Sequence, residues 1–236
     1  MQSDAILRFL REIEIPFSMP KNISCMIPQA DSNTWQLMKQ FYHQYYGDRE
    51  PRTLIFGINP GRFGGGLTGI PFTDPIRLET VCGIPNTYRK VPELSSEFIY
   101  RLIDTYGGPA AFYRDYLFSS ISPVGFTKSG KNLNYYDDRP LLGKMTQFIE
   151  HGIERQLQLL SVRDTCFCLG EGENFKYFSA LNTRKKYFRE ILPLPHPRWI
   201  MQYRRKRLDE FIKRFVGELR NWPVNGSCLP EGPMKT

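Results

Sequence analysis

Four short apolar runs separated by helical segments constrain the fold of this 236-residue chain more than any other feature. The runs predict strands over residues 53–58, 116–122, 165–169 and 190–194, and a Gly or Pro follows each within two residues. Helical patterns cover residues 35–46, 96–106, 141–160, 174–181 and 200–219. Such alternation is typical of a parallel sheet with helices on both faces. We therefore predict an α/β fold, a three-layer α/β/α sandwich around a central, mainly parallel four-stranded sheet.

Neither a repeat nor a linker-like change of composition interrupts residues 1–220, which we predict to form one domain. Residues 221–236 are rich in Pro and Gly and are predicted to form a loosely ordered tail. We find no signal peptide and no apolar run of membrane-spanning length, so we expect a cytoplasmic protein that does not contact a membrane.

The five cysteines are odd in number and scattered, which argues against a disulfide framework. Cys166 and Cys168 would share one face of a strand, and we interpret them as reduced core residues. Metal binding by this pair is the less favoured alternative.

The chain carries 32 Lys and Arg against 24 Asp and Glu, a formal net charge of +8. This excess favours a polyanionic partner, because contacts between cations and phosphates release counterions. Many soluble proteins are basic without binding nucleic acid, and charge alone leaves that alternative open.

Polar residues and glycines follow the predicted strands. The four strand ends carry residues 59–61, 120–123, 170–172 and 196–198. In open parallel sheets, ligands bind just beyond the carboxyl ends of the strands. We therefore expect these distant segments to converge on one site.

Residues 57–72, GINPGRFGGGLTGIPF, resemble the first motif of the single-strand-selective monofunctional uracil-DNA glycosylases, G-M-N-P-G-P-F-G followed by T-G-V-P-F. The likeness continues through the loop at 129–133, the strand–Gly–helix unit at 165–181, and residues 196–198, which are similar to a shortened H-P-S-P-R-N-P. It covers roughly residues 26–216 in the same order. The chain is identified as a divergent member of this family, within the uracil-DNA glycosylase superfamily.

The resemblance implies a monofunctional DNA glycosylase of base-excision repair. It would hydrolyse the N-glycosidic bond of uracil, or of a 5-substituted uracil, by water attack at C1′. The partner would be single- or double-stranded DNA containing a damaged base, and we expect a monomer. We expect no cofactor and no metal: no Lys matches a nucleophile position, and the four-Cys pattern of an iron–sulfur cluster is missing from the sequence.

Asn59 and His196 are the predicted catalytic residues. In a largely dissociative hydrolysis the sugar becomes positive while the base leaves as an anion. By resemblance, the Asn59 carboxamide would orient the water; the alternative is an Asn that caps the turn before Pro60. His196 would donate a hydrogen bond to the departing base, for which it need not be charged. The alternative is a His in a rigid turn with no chemical task.

Phe72 is predicted to stack on the extruded base, although a core position is the commoner fate of a Phe. By resemblance, Gly61 would leave room beside C5 of a pyrimidine. The full set of predicted base-binding residues is Gly57, Ile58, Pro60, Gly61, Phe63, Phe72 and Ser120.

Ser120 is the main departure from the family. At this position the family has an Asn whose amide pairs with O4 and N3–H of uracil, and a hydroxyl cannot present the same donor and acceptor. A water or nearby backbone could complete the recognition. Alternatively, the pocket could take xanthine or hypoxanthine as its main substrate. A third alternative is a non-catalytic DNA-binding module with the same fold.

Residues 198–206 interleave large apolar side chains with cations. The family uses this region as a wedge that fills the gap left by a flipped nucleotide, and our candidates are Arg198 and Trp199. The predicted phosphate contacts are Lys128, Lys131, Arg204 and Arg205. The alternative is that these cations are the solvated first turns of the last helix.

Overall fold

Seven strands and ten α-helices follow one another along residues 1–221, the part of the chain that the computed structural model describes. Short 3₁₀ turns cover Pro28–Ala30 and Arg205–Arg207. In chain order the elements are α1 (Gln2–Arg11), β1 (Ile23–Met26), α2 (Ser32–Tyr45), β2 (Arg52–Gly57), α3 (Gly65–Thr68), α4 (Pro75–Thr80), α5 (Leu94–Tyr106), α6 (Pro109–Asp115), β3 (Tyr116–Ser120), β4 (Gly125–Lys128), β5 (Lys131–Leu133), α7 (Arg139–Leu159), β6 (Val162–Leu169), α8 (Glu173–Lys185), β7 (Glu190–Leu194), α9 (Pro197–Tyr203) and α10 (Leu208–Asn221).

The central sheet has the strand order β3-β2-β6-β7, and every pair in it is parallel. All residues of β2 and β6 are buried, as expected of inner strands covered on both faces. Helices flank the sheet, with α6 packed on β2 and β3 and α8 packed on β6. The predicted α/β/α fold is confirmed, and so is the burial of Cys166 and Cys168 as free core thiols.

A second, antiparallel sheet of order β1-β4-β5 was not predicted. Its strands have only three or four residues and are partly exposed, so their sequence lacks a clear alternation. Ser129 and Gly130, both at positive φ, form the two-residue turn between β4 and β5. This sheet lies against the loop after β2, so closely that a Cβ on Gly125 would meet the Pro60 carbonyl oxygen at 2.3 Å.

The prediction of a single helix over residues 200–219 is wrong. The structure has α9 and α10, separated by Arg204 and the 3₁₀ turn Arg205–Arg207. The apolar spacing from Met201 to Leu208 continues across the break, so periodicity alone does not reveal it. Four exposed cations, Arg204 to Arg207, occupy the break.

The predicted tail at 221–236 lies outside the described residues, apart from Asn221, which ends α10. Within residues 1–221, no helix combines the length and apolar character needed to cross a membrane.

Candidate active site

A cavity of about 480 Å³ opens beyond the carboxyl ends of β2 and β3 and beside the start of α9. The loops that carry Asn59 and His196 meet there, as predicted from the strand ends. The predicted segment at 170–172 is not among the lining residues. These are Ile58, Asn59, Pro60, Gly61, Gly65, Pro71, Phe72, Glu93, Ser95, Ser120, Asn132, Asn134, His196, Arg198, Trp199, Gln202 and Tyr203.

Hydrogen bonds to the backbone fix the side chain of Asn59. Its Nδ2 donates to the carbonyl oxygens of Leu133 (3.2 Å) and Pro60 (3.4 Å), and its Oδ1 accepts from the backbone N–H of Tyr135 (3.1 Å). Both amide hydrogens are thereby occupied, while Oδ1 keeps one lone pair. The β5–α7 connection therefore holds this amide in a single orientation.

His196 begins α9, and its Nδ1 accepts a hydrogen bond from the backbone N–H of Arg198 at 3.1 Å. The proton of the neutral ring must then sit on Nε2. Burial in the cavity wall, followed by the nearby Arg198 guanidinium, lowers the pKa of His196 to about 4. At neutral pH the imidazole is uncharged and offers Nε2–H as a donor.

Phe72 occupies a tight turn. The Thr73 N–H bonds the Ile70 carbonyl at 3.2 Å, and Phe72 has a φ of +54°, a conformation that favours Gly at this turn position. Its ring lies 5.1 Å from that of Phe118 and 6.4 Å from that of His196. A bulky residue held at positive φ beside a cavity is an observed outlier of the kind that clusters at ligand sites.

The other predicted base-binding residues divide into three groups. Ile58, Pro60, Gly61 and Ser120 line the cavity, and Ser120 is buried at the end of β3. Gly57 does not line it; instead it makes room for Phe72, whose Cζ would meet a Cβ on Gly57 at 2.7 Å. Phe63 lies outside it, on an adjoining groove, so its prediction as part of the base pocket is not matched by its position.

That adjoining groove has a volume of about 370 Å³. It shares Glu93, Ser95, Asn132 and Arg198 with the cavity. Its remaining walls are Arg62, Phe63, Pro92, Leu94 and Lys131.

Only some of the predicted DNA-binding residues line the cavity or the adjoining groove. Arg198 and Trp199 line the cavity. Trp199 is 40% exposed, and the Arg204 guanidinium lies 4.9 Å from the centre of its ring. Arg205 instead bonds Glu97 at 3.0 Å, and Lys128 bonds Asp138 at 3.0 Å. Of the predicted phosphate ligands, only Lys131 lines either opening.

Glu93 is a residue of this site that sequence reasoning missed. Its carboxylate lies against the loop after β2. A Cβ added to Gly61 would lie 2.6 Å from this carboxylate, and one added to Gly64 would lie 1.9 Å from it. Burial, and then Asp74, raise the pKa of Glu93 to about 7, while Arg198 opposes the rise. Glu93 follows no predicted strand, and only the contact with the glycine loop reveals it. Asn132, also missed, falls within the loop at 129–133 that the resemblance includes.

Across residues 1–221, no group of three or more His, Cys, Asp and Glu side chains is arranged to hold a metal ion. The lining of the cavity combines a fixed carboxamide, a neutral imidazole donor, an aromatic ring and the Arg198 cation. Such a site suits an enzyme that acts on a planar, polar ring attached to an anionic chain.

Similarity to known proteins identifies the class of protein to which this chain belongs. The sequence profile of the uracil DNA glycosylase superfamily matches residues 44–220, and the chain belongs to that superfamily. It is similar to the crystal structure of wild-type SMUG2 from Pedobacter heparinus, with 42% sequence identity and a TM-score of 0.89 over 92% of this chain and 96% of that one. Among curated proteins, none matches. The membership predicted from the sequence is confirmed, and these similarities place the chain among the DNA glycosylases of base-excision repair.

Proposed function

We propose that this protein hydrolyses the N-glycosidic bond of uracil in DNA by water attack at C1′, without a cofactor. The observation that supports this most is the meeting of Asn59 and His196, from loops far apart in sequence, in one cavity beside Phe72. A cavity of about 480 Å³ lies within the range of about 300–1,000 Å³ that is usual for small-ligand pockets.

The target base must first leave the helix stack. The Phe72 ring lies in the cavity wall, where its turn and the Phe118 ring hold it. The extruded base stacks on this Phe72 ring. Base–aromatic stacking contributes about 1–3 kcal/mol, which offsets part of the unstacking energy.

Asn59 positions the attacking water. Because its two Nδ2 hydrogens are bonded to backbone carbonyls, the side chain meets a water through the remaining lone pair of Oδ1. A carboxamide is too weak a base to remove a proton early. In a dissociative step, however, the water needs orientation under C1′ more than activation.

His196 stabilises the leaving base. Because burial lowers the pKa of His196 to about 4, the imidazole is uncharged at pH 7 and acts as a neutral donor through Nε2–H. The hydrogen bond from a fixed donor strengthens as negative charge grows on the base, and the donor needs no rearrangement at the moment of reaction.

A second candidate substrate is a deaminated purine, xanthine or hypoxanthine. The observation in its favour is Ser120, whose short hydroxyl leaves space and lacks the paired amide that reads uracil. The mechanism at Asn59 and His196 would be the same.

On the DNA side, Arg198 and Trp199 at the cavity mouth are the wedge, and Lys131 and Arg204 contact phosphates. Lys128 and Arg205 would have to exchange carboxylate partners for phosphates, so we expect smaller contributions from them.

A base-release assay on a substrate panel tests the proposal. Oligonucleotides carrying uracil, 5-hydroxymethyluracil, xanthine or hypoxanthine are incubated single-stranded and double-stranded, and free base is quantified. We expect uracil release from at least one form. Release of xanthine or hypoxanthine with negligible release of uracil would select the second candidate. Salt-dependent DNA binding with release of no base would make the chain a non-catalytic binding module.

A further inference from the structure

The groove that adjoins the base cavity has its own chemistry. Three cations line it, from Arg62, Lys131 and Arg198, and Glu93 is the one acid among its described lining residues. Phe63 also lines the groove and is 38% exposed. Cations beside an exposed aromatic ring are the combination that binds unpaired nucleotides, with phosphates on the cations and a base on the ring.

The aromatic platform is held in place before any ligand arrives. The Arg62 guanidinium lies 4.3 Å above the centre of the Phe63 ring and also bonds the carbonyl of Gly130. The Arg62 backbone N–H donates to Oδ1 of Asn132 at 3.1 Å. The β4–β5 hairpin therefore holds Arg62, and the Phe63 ring packs against the held guanidinium. Arg62 then needs little further ordering when a ligand binds.

The groove and the base cavity meet at a common wall that contains Glu93 and Asn132. A ligand in the groove is therefore next to a base in the cavity, and in a DNA strand the group next to a flipped nucleotide is its covalent neighbour.

We propose that this groove binds the nucleotide adjacent to the damaged one on the same strand, with its base stacked on the Arg62–Phe63 pair and its phosphate on Lys131. The proposal rests on the proposed function. It assigns Phe63 to the neighbouring base and leaves Phe72 for the damaged one. Because every base has an aromatic face, the site accepts all four.

The test is a double-mutant cycle that combines substitution of Phe63 with removal of a neighbouring base from the DNA. Affinity is measured by fluorescence anisotropy for single-stranded oligonucleotides with a central tetrahydrofuran abasic analogue. In two further oligonucleotides the 5′ or the 3′ neighbour also lacks its base. For wild-type protein, removal of the base on one side should weaken binding about 5- to 150-fold.

Phe63→Ala should lose a similar factor on the oligonucleotide with both neighbours intact, and lose little more when the neighbouring base is removed. Phe63→Tyr should restore the dependence on that base, whereas Phe63→Leu, which keeps apolar bulk without an aromatic face, should not. The matched control is Phe17→Ala, which removes a ring that lies under Lys144 and lines neither opening. Its binding should match wild type.

The proposal is overturned if neither neighbouring base affects wild-type affinity, or if Phe63→Ala retains the full dependence on it. The abasic oligonucleotides have no base to release, so this outcome is independent of the substrate panel. Neighbour-independent binding with normal uracil release rejects only the groove, and neighbour-dependent binding with release of no base rejects only the proposed function.

Discussion

Glu93→Gln tests whether the carboxyl group in the wall between cavity and groove is held uncharged. The group is packed against the glycine loop at Gly61 and Gly64, and the charged groups that act on it are Asp74 and Arg198. Burial and Asp74 outweigh Arg198, so the pKa of Glu93 rises from 4.5 to about 7. Gln keeps the size of the side chain and removes its ionisation.

The effect of Glu93 on folding stability depends on pH because its pKa differs between the folded and unfolded protein. Below pH 4.5 the carboxyl is protonated in the folded and unfolded protein, and folding stability carries no penalty. Between pH 4.5 and 7 the unfolded chain ionises first, so the free energy of unfolding falls as pH rises, and the loss is complete above pH 7. The rise of the Glu93 pKa from 4.5 to about 7 corresponds to at most roughly 3 kcal/mol of lost stability, an upper limit because the side chain is partly exposed.

Urea denaturation of wild type and Glu93→Gln between pH 5 and 8.5 measures this effect. The stability of the variant relative to wild type should increase from pH 5 to about pH 7 and then stay level up to pH 8.5. Glu218→Gln, at an exposed position on α10, is the matched control. If the two variants behave alike, Glu93 ionises as an ordinary surface carboxylate and the reasoning is refuted.

Three further substitutions test the site. His196→Ala should reduce base release about 100- to 1,000-fold in single-turnover assays, since it removes the donor to the leaving base, while affinity for abasic DNA stays near wild type. Gly57→Ala should lower base release and thermal stability together, because the added methyl displaces the Phe72 ring; an unchanged rate would show that the ring position is unimportant. Ser120→Asn should raise uracil release relative to hypoxanthine release in competition assays, and an unchanged ratio would contradict the role given to Ser120.

The central sheet could be predicted because each inner strand is a continuous apolar run, and parallel strands place their carboxyl ends at one edge. The meeting of Asn59 and His196 follows from that edge. The roles of these residues stay predictions, since position shows proximity and not chemistry.

The remaining features depend on contacts that sequence pattern does not encode. The position of Phe63 is set by its stacking with Arg62, and Arg62 by the unpredicted hairpin. Glu93 enters the site only because glycines leave space for its carboxylate. The break between α9 and α10 leaves the apolar spacing intact, so it is invisible to periodicity.

The most direct test of the account is single-turnover base release by Asn59→Ala from single-stranded uracil DNA, measured beside wild type and His43→Ala. His43 is a half-exposed histidine on α2, outside the cavity, and its variant should react like wild type. We predict that Asn59→Ala releases uracil about 100-fold more slowly or worse, because no side chain then orients the water, yet binds abasic DNA nearly as tightly. Release by Asn59→Ala at the wild-type rate would contradict the assignment of this cavity as the hydrolytic site.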